Sequence, residues 1–214
     1  MKPRVYYPHK YKHDKQEDIL PFQTIKQKVV DTNLSISEEA FFWLLYYCGV
    51  RKSEGYERVL EDFKVNDTHL IVDFHKRKKG GAEVPPLKLP LRWYGVDKIV
   101  ECVRLASVRR PIEKAVYVYV DKKRTKTLKM GKWVFPRIQS TKAWEIVRKI
   151  LGEGFYPHFL RLNRLSEIGS DPTANLIRLK SFSGIKFAKS LSAYLGKSEE
   201  EQDKALEYMD KKFS

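Results

Sequence analysis

Cysteine is nearly missing from this chain: Cys48 and Cys102 are the only two in 214 residues. Both fall in apolar, helix-periodic stretches. They form neither a disulfide framework nor a metal-binding set, and they suit a reduced compartment. No apolar run approaches the ~20 residues of a membrane span. The N-terminus is charged and tyrosine-rich, without the apolar core of a secretion signal. These absences predict a soluble, cytoplasmic protein with no membrane partner. His9, His13 and His69 have no neighbouring cysteine or carboxylate cluster to complete a metal set, so no metal and no cofactor is expected. Internal repeats and low-complexity linkers are also lacking.

Acidic residues are in deficit. Asp and Glu number 27 against 42 Lys and Arg, a net charge of +15. A surplus of this size, with aromatics interleaved, points to a polyanion, most simply nucleic acid. No RNP-like aromatic strand motif favours an RNA-binding module. At 42% hydrophobic residues the chain can bury a substantial core, and its length suits one domain with a small arm.

In chain order, residues 1–34 read as a basic arm with a short helix near Gln23–Val30. Ser35-Ile36-Ser37-Glu38 is a capping box. It opens an apolar helix that ends at Gly49. Arg51 follows that helix, so the core and not a mobile loop sets its position; Glu54, three residues on, can orient it. His69–Phe74 reads as a strand. Lys76-Arg77-Lys78-Lys79-Gly80-Gly81 is a basic turn, and Glu83–Leu91 returns as a proline-marked edge strand. Such a tip presents cations to a phosphate, or merely guards a sheet edge.

Val96–Ala106 reads as a helix and Val116–Val120 as a short strand. Lys122–Lys132 reads as a dense basic turn whose Lys123, Arg124 and Lys126 are candidate DNA contacts, with Trp133-Val134-Phe135 as the return strand. Thr141–Leu151 is a helix ending at Gly152. Tyr156-Pro157-His158-Phe159-Leu160-Arg161 then opens a helix to about Ile168. His158 and Arg161, three apart, lie on one side of it. Arg164 is a backbone-phosphate contact or a solvated side chain. Further helices are expected at Thr173–Lys180, around Lys186–Tyr194, and at Glu199–Lys211. The fold class is mainly α with one small antiparallel β-sheet (α+β).

Taken together, these pieces resemble one family. Tyr47-Cys48-Gly49-Val50-Arg51-Lys52-Ser53-Glu54 resembles the first arginine box of the tyrosine recombinases, the phage-integrase family. The strand, basic turn and Glu83-Val84-Pro85-Pro86-Leu87 are similar to that family's β-hairpin. Trp133-Val134-Phe135-Pro136 resembles its "lFp" segment, and His158-Phe159-Leu160-Arg161 its "HxLR" box. Phe182-Ser183-Gly184, with Tyr194 ten residues after the glycine, has the spacing of the box before the nucleophile. The resemblance covers roughly residues 33–210 and is closest in flavour to archaeal and archaeal-virus integrases. One position departs: the residue after Gly184 is Ile185, where His or Trp is usual, and Lys186 is adjacent as a substitute.

The resemblance implies a catalytic-domain fold over 35–214, without the family's full core-binding domain. Either a domain of a longer recombinase or a minimal enzyme fits. It implies that Arg51 and Arg161 clamp a scissile phosphate, that Tyr194 is the nucleophile, and that His158 assists. Lys76 is the implied general acid, with Lys78 and Lys79 as rivals, and Glu54 supports Arg51. It implies double-stranded DNA as partner and a tetramer on that DNA.

The chemistry explains these residue types. A tyrosine hydroxyl attacking a phosphodiester builds charge on the non-bridging oxygens, which two guanidinium forks can stabilise. The 5′ oxygen is a poor leaving group, so a general acid helps. The 3′-phosphotyrosyl bond keeps the energy for resealing, so no ATP is required. Rivals are topoisomerase IB-like nicking and resealing, and a catalytically silent DNA-binding protein on the same fold. Tyr208 is the rival nucleophile.

Overall fold

The computed structural model describes residues 19–74, 85–120, 123–169 and 182. The helices are α1 (Phe22–Val30), α2 (Ile36–Cys48), α3 (Lys52–Tyr56), α4 (Val96–Val108), α5 (Ser140–Leu151) and α6 (Pro157–Gly169). The strands are β1 (Phe63–Val65), β2 (His69–Val72), β3 (Leu87–Pro90), β4 (Ile112–Val120) and β5 (Lys123–Gly131).

Helix α2 is the centre. Its capping box forms as the sequence predicts: the Glu38 amide donates to Ser35 Oγ and the Ser35 amide to Glu38 Oε2. Burial alone would raise the Glu38 carboxyl. The Lys142 ammonium at 2.6 Å, with the Ser35 amide and hydroxyl, outweighs burial and holds it at about 2. From Ala40 to Cys48 every residue is buried. A helix apolar all round must lie inside a core, and α2 packs against α3, α4, α5 and α6. Trp43 stacks on Tyr47 with ring centroids 5.5 Å apart, and Phe41 meets Phe135 edge-on at 5.4 Å.

Helix α1, within the basic N-terminal segment, buries Ile25 and Val29 in this same core. Just before it, the Leu20 amide donates to Asn163 Oδ1 at 2.7 Å, and Asn163 Nδ2 donates back to Leu20 O, tying the segment to α6.

Gly95 caps α4 with φ of +77°, and a Cβ there would stand 2.2 Å from Trp43 Cδ1. Glycine is thus required both by the left-handed backbone and by the indole. Gly95→Ala is expected to cost about 2–5 kcal/mol, combining αL strain with core overpacking. Urea unfolding of the two proteins checks this.

The predicted strand pair forms, with β3 at the sheet edge as its prolines require. The sheet order is β1-β2-β3, antiparallel, with Leu70 opposite Leu89. The added strand β1 is only three residues long, too short for alternation to reveal it. A second correction is larger. Among the described residues there are two sheets, because β4 and β5 pair over nine residues each as a separate ribbon. The supposed basic turn Lys122–Lys132 is mostly strand β5. Both faces of β5 are solvated, with Thr125 and Lys129 exposed on one and Lys126, Leu128 and Met130 on the other, so its composition mimics a polar turn. Trp133-Val134-Phe135 is not a return strand. Trp133 makes an isolated bridge to Val59, and all three side chains are buried.

Candidate active site

The end of α2 organises the site. Gly49 takes φ of +54° and closes the helix, so the chain turns at once into Arg51, the N-cap of α3. Glu54, at the third position of α3, reaches back. The Arg51 amide donates to Glu54 Oε2 at 2.7 Å, and Arg51 Nη1 donates to Oε1 at 3.0 Å. One carboxylate therefore fixes both backbone and guanidinium, leaving the Arg51 side chain 43% exposed and Glu54 13%.

Arg161 arrives from α6. It is 2% exposed, and its Nη1 donates to the Gly49 carbonyl at 2.5 Å, across 112 positions of sequence. Phe182 arrives from the far end of the described chain: its ring lies 3.0 Å from where a Cβ on Gly49 would stand, and Arg164 Cγ lies 3.7 Å from that point. Three of the segments singled out by sequence therefore converge on Gly49, two residues before Arg51.

His158 is exposed near the start of α6. Its ring stacks on Tyr156 at 6.5 Å and 20°, and Tyr156 stacks on Trp144 of α5 at 5.8 Å and 26°. Lys52 Nζ sits over the Trp144 ring at 5.2 Å. An aromatic ladder thus joins the residue next to Arg51 to His158. Sequence reasoning missed Trp144 and Lys52 in this role. Trp144 fits a helical apolar period as plain core, and nothing local marks it as a bridge.

Arg164 pairs with Glu167 at 3.1 Å and lies over the Tyr46 and Trp93 rings at 6.0 Å each, with 23% of its side chain exposed. Lys126 is exposed on β5, opposite Tyr117. Lys123 and Arg124 belong to the same strand, in register with Val120 and Tyr119. Lys76, Lys78, Lys79, Ile185, Lys186 and Tyr194 lie outside the described residues, as do the helices expected beyond Gly169.

Two described tyrosines are poor nucleophiles. Burial pushes the Tyr46 and Tyr47 phenols far up, with the Glu167 carboxylate adding to the effect. Tyr46 donates its proton to Glu167 Oε1 at 2.6 Å and Tyr47 to the Tyr94 carbonyl at 2.8 Å. Among the described residues no group of His, Cys, Asp and Glu could hold a metal ion, and no helix is long and apolar enough to cross a membrane.

Lys114 was also missed. It sits on the core-facing side of β4, 3% exposed, with Nζ donating to Tyr56 O at 2.6 Å and Phe135 O at 2.7 Å. Burial pulls its ammonium down to about 8, against a weaker upward pull from Glu57. The unfolded chain, with its lysine near 10.5, binds the extra proton between those values, so folding stability rises with pH across that window. Relative to Lys114→Met, the wild type is expected to gain about 3 kcal/mol between pH 8 and 10.5. Denaturant unfolding of both proteins at the two pH values reads this directly.

No protein-family model matches the chain, and no curated protein sequence matches it. Solved structures do. The XerH site-specific recombinase bound to difH substrate, in a pre-cleavage complex, superposes with a TM-score of 0.63 at 12% identity, covering 87% of this chain and 53% of that one. XerA recombinase gives 0.59 at 13% identity, covering 97% and 66%. The Tn1549 transposon integrase in complex with transposon right end DNA gives 0.57 at 11% identity, covering 89% and 65%. The chain spans about half the length of the XerH structure. At these identities the likeness is one of fold, and the fold is that of the tyrosine-recombinase catalytic domain.

Proposed function

We propose that this chain is the strand-cutting and rejoining unit of a site-specific DNA recombinase, acting through a 3′-phosphotyrosyl intermediate on Tyr194. The observation that carries the reading is the convergence on Gly49. Arg161 is bonded to the carbonyl two residues before Arg51, and Phe182, which leads toward Tyr194, packs at the same glycine. The fold shared with recombinases solved on DNA supports it.

In this reading Arg51 and Arg161 receive the scissile phosphate. Arg161 is set rigidly by burial and Arg51 by Glu54, so both forks are in place before charge develops. His158, held by the aromatic ladder, assists proton movement at the phosphate. Lys76 protonates the leaving 5′ oxygen, with Lys78 and Lys79 as alternatives on the same turn. Lys123, Arg124, Lys126 and Arg164 are the cations assigned to the DNA backbone. The partner is double-stranded DNA, on which four copies assemble.

A second reading, a silent DNA-binding protein on this fold, is favoured by Ile185 alone. A nicked suicide substrate separates the two. Cleavage next to the nick releases a short 5′-hydroxyl fragment and traps the covalent complex, visible as a shifted band on a denaturing gel. The recombinase reading expects that band. Salt-sensitive binding with no band at any time would establish the silent binder.

A further inference from the structure

We propose that Lys114 is a positioning residue that holds α3, and with it Arg51, in fixed relation to the β4–β5 ribbon. This rests on the reading of Arg51 as a phosphate ligand. A buried lysine is costly unless its charge is met, and here it is met on four sides. Two carbonyls accept from Nζ, and the rings of Tyr56 and Trp133 flank it, each with its centroid 5.4 Å away. Tyr56 is the last residue of α3, so its carbonyl lies at the C-terminal end of the helix, where Lys114 Nζ donates to it. A cation there satisfies that group and complements the negative end of the turn.

The rest of the ribbon base is sewn to the segment that follows. The Leu60 amide donates to Lys132 O and the Val134 amide to Arg58 O. Trp133 Nε1 donates to Ile112 O at 3.0 Å, and Arg109 Nη1 donates to Trp133 O at 3.1 Å. Lys114 is the side chain that carries this attachment onto α3 itself. Helix α3 is little more than one turn, so a shift at Tyr56 reaches Arg51 at its other end. The strand opposite Lys114 carries Lys123, Arg124, Lys126 and Lys129. A duplex gripping that strand would thus pull on the helix that aims Arg51.

The test uses the full chain with Lys114→Met, which keeps the volume and loses the charge and donors, and Lys114→Arg, which keeps both. In Lys114→Met, hydrogen exchange at the Gly55 and Glu57 amides, which close α3 onto Arg51 O and Ser53 O, should accelerate at least about tenfold. The Ala143 amide of α5 should be unchanged. At saturating DNA, the rate of covalent complex formation should fall between about tenfold and 10²-fold, as displacement of a catalytic group does. DNA affinity should stay within about twofold, and Lys114→Arg should recover most of the rate and protection. Wild-type exchange at Gly55 and Glu57 in Lys114→Met would overturn the proposal. So would equal losses in both variants, which would make Lys114 a space-filler. If the wild type forms no covalent complex, the recombinase reading fails, and the exchange data still decide whether Lys114 holds α3.

Discussion

Tyr194→Phe is expected to remove the covalent protein–DNA complex entirely while leaving DNA affinity within about twofold. The substitution deletes one oxygen, the atom that would bond to phosphorus, and keeps the ring. DNA affinity comes chiefly from cations on phosphates, and this change removes none. The chain has twelve tyrosines, so the result is informative only if it is specific. Tyr208→Phe, made in parallel, should cleave like the wild type. Tyr46 and Tyr47 are not rivals: their phenols are buried, donate to fixed acceptors and resist ionisation.

Arg161→Ala is expected to slow covalent complex formation by at least ~10²-fold, the cost of losing one preorganised donor to a developing oxyanion. The loss should fall on the rate at saturating DNA and not on affinity, because the interaction strengthens as the phosphorane charge forms. Arg161→Lys should recover little. A lysine keeps the charge but lacks the fork that lets one guanidinium hold the Gly49 carbonyl and face a phosphate together. The Arg161–Gly49 bond is buried, so alanine also leaves that carbonyl without this donor, at about 1–3 kcal/mol of stability. Single-turnover rates measured well below the melting temperature separate the two effects.

The parts of the fold legible in the sequence were those with local chemical signatures. The Ser35–Glu38 box, the left-handed stop at Gly49 and the edge prolines around β3 each follow from a few neighbouring residues. The Arg51–Glu54 pair was legible for the same reason, since three positions on a helix bring the groups together. The β4–β5 ribbon was read badly because a strand solvated on both faces carries the lysines and threonines of a polar turn. Lys114, on β4, carried no local signal: its burial is decided by Tyr56 and Phe135, 58 and 21 positions away. The ladder from Lys52 to His158 is likewise a tertiary product, drawing on α3, α5 and α6. The Arg161–Gly49 bond lies between these cases. Order and spacing of the boxes implied that the two segments belong together, and the fold shows the atom through which they meet.

The most direct measurement is to map the trapped adduct. Wild-type protein is reacted with the nicked substrate, digested with nuclease and trypsin, and sequenced by tandem mass spectrometry for a peptide carrying a nucleotide through phosphate. The account predicts the modification on Tyr194, within the peptide from Ser190 to Lys197. A nucleotide on Tyr208, on a serine, or on any described tyrosine would contradict it.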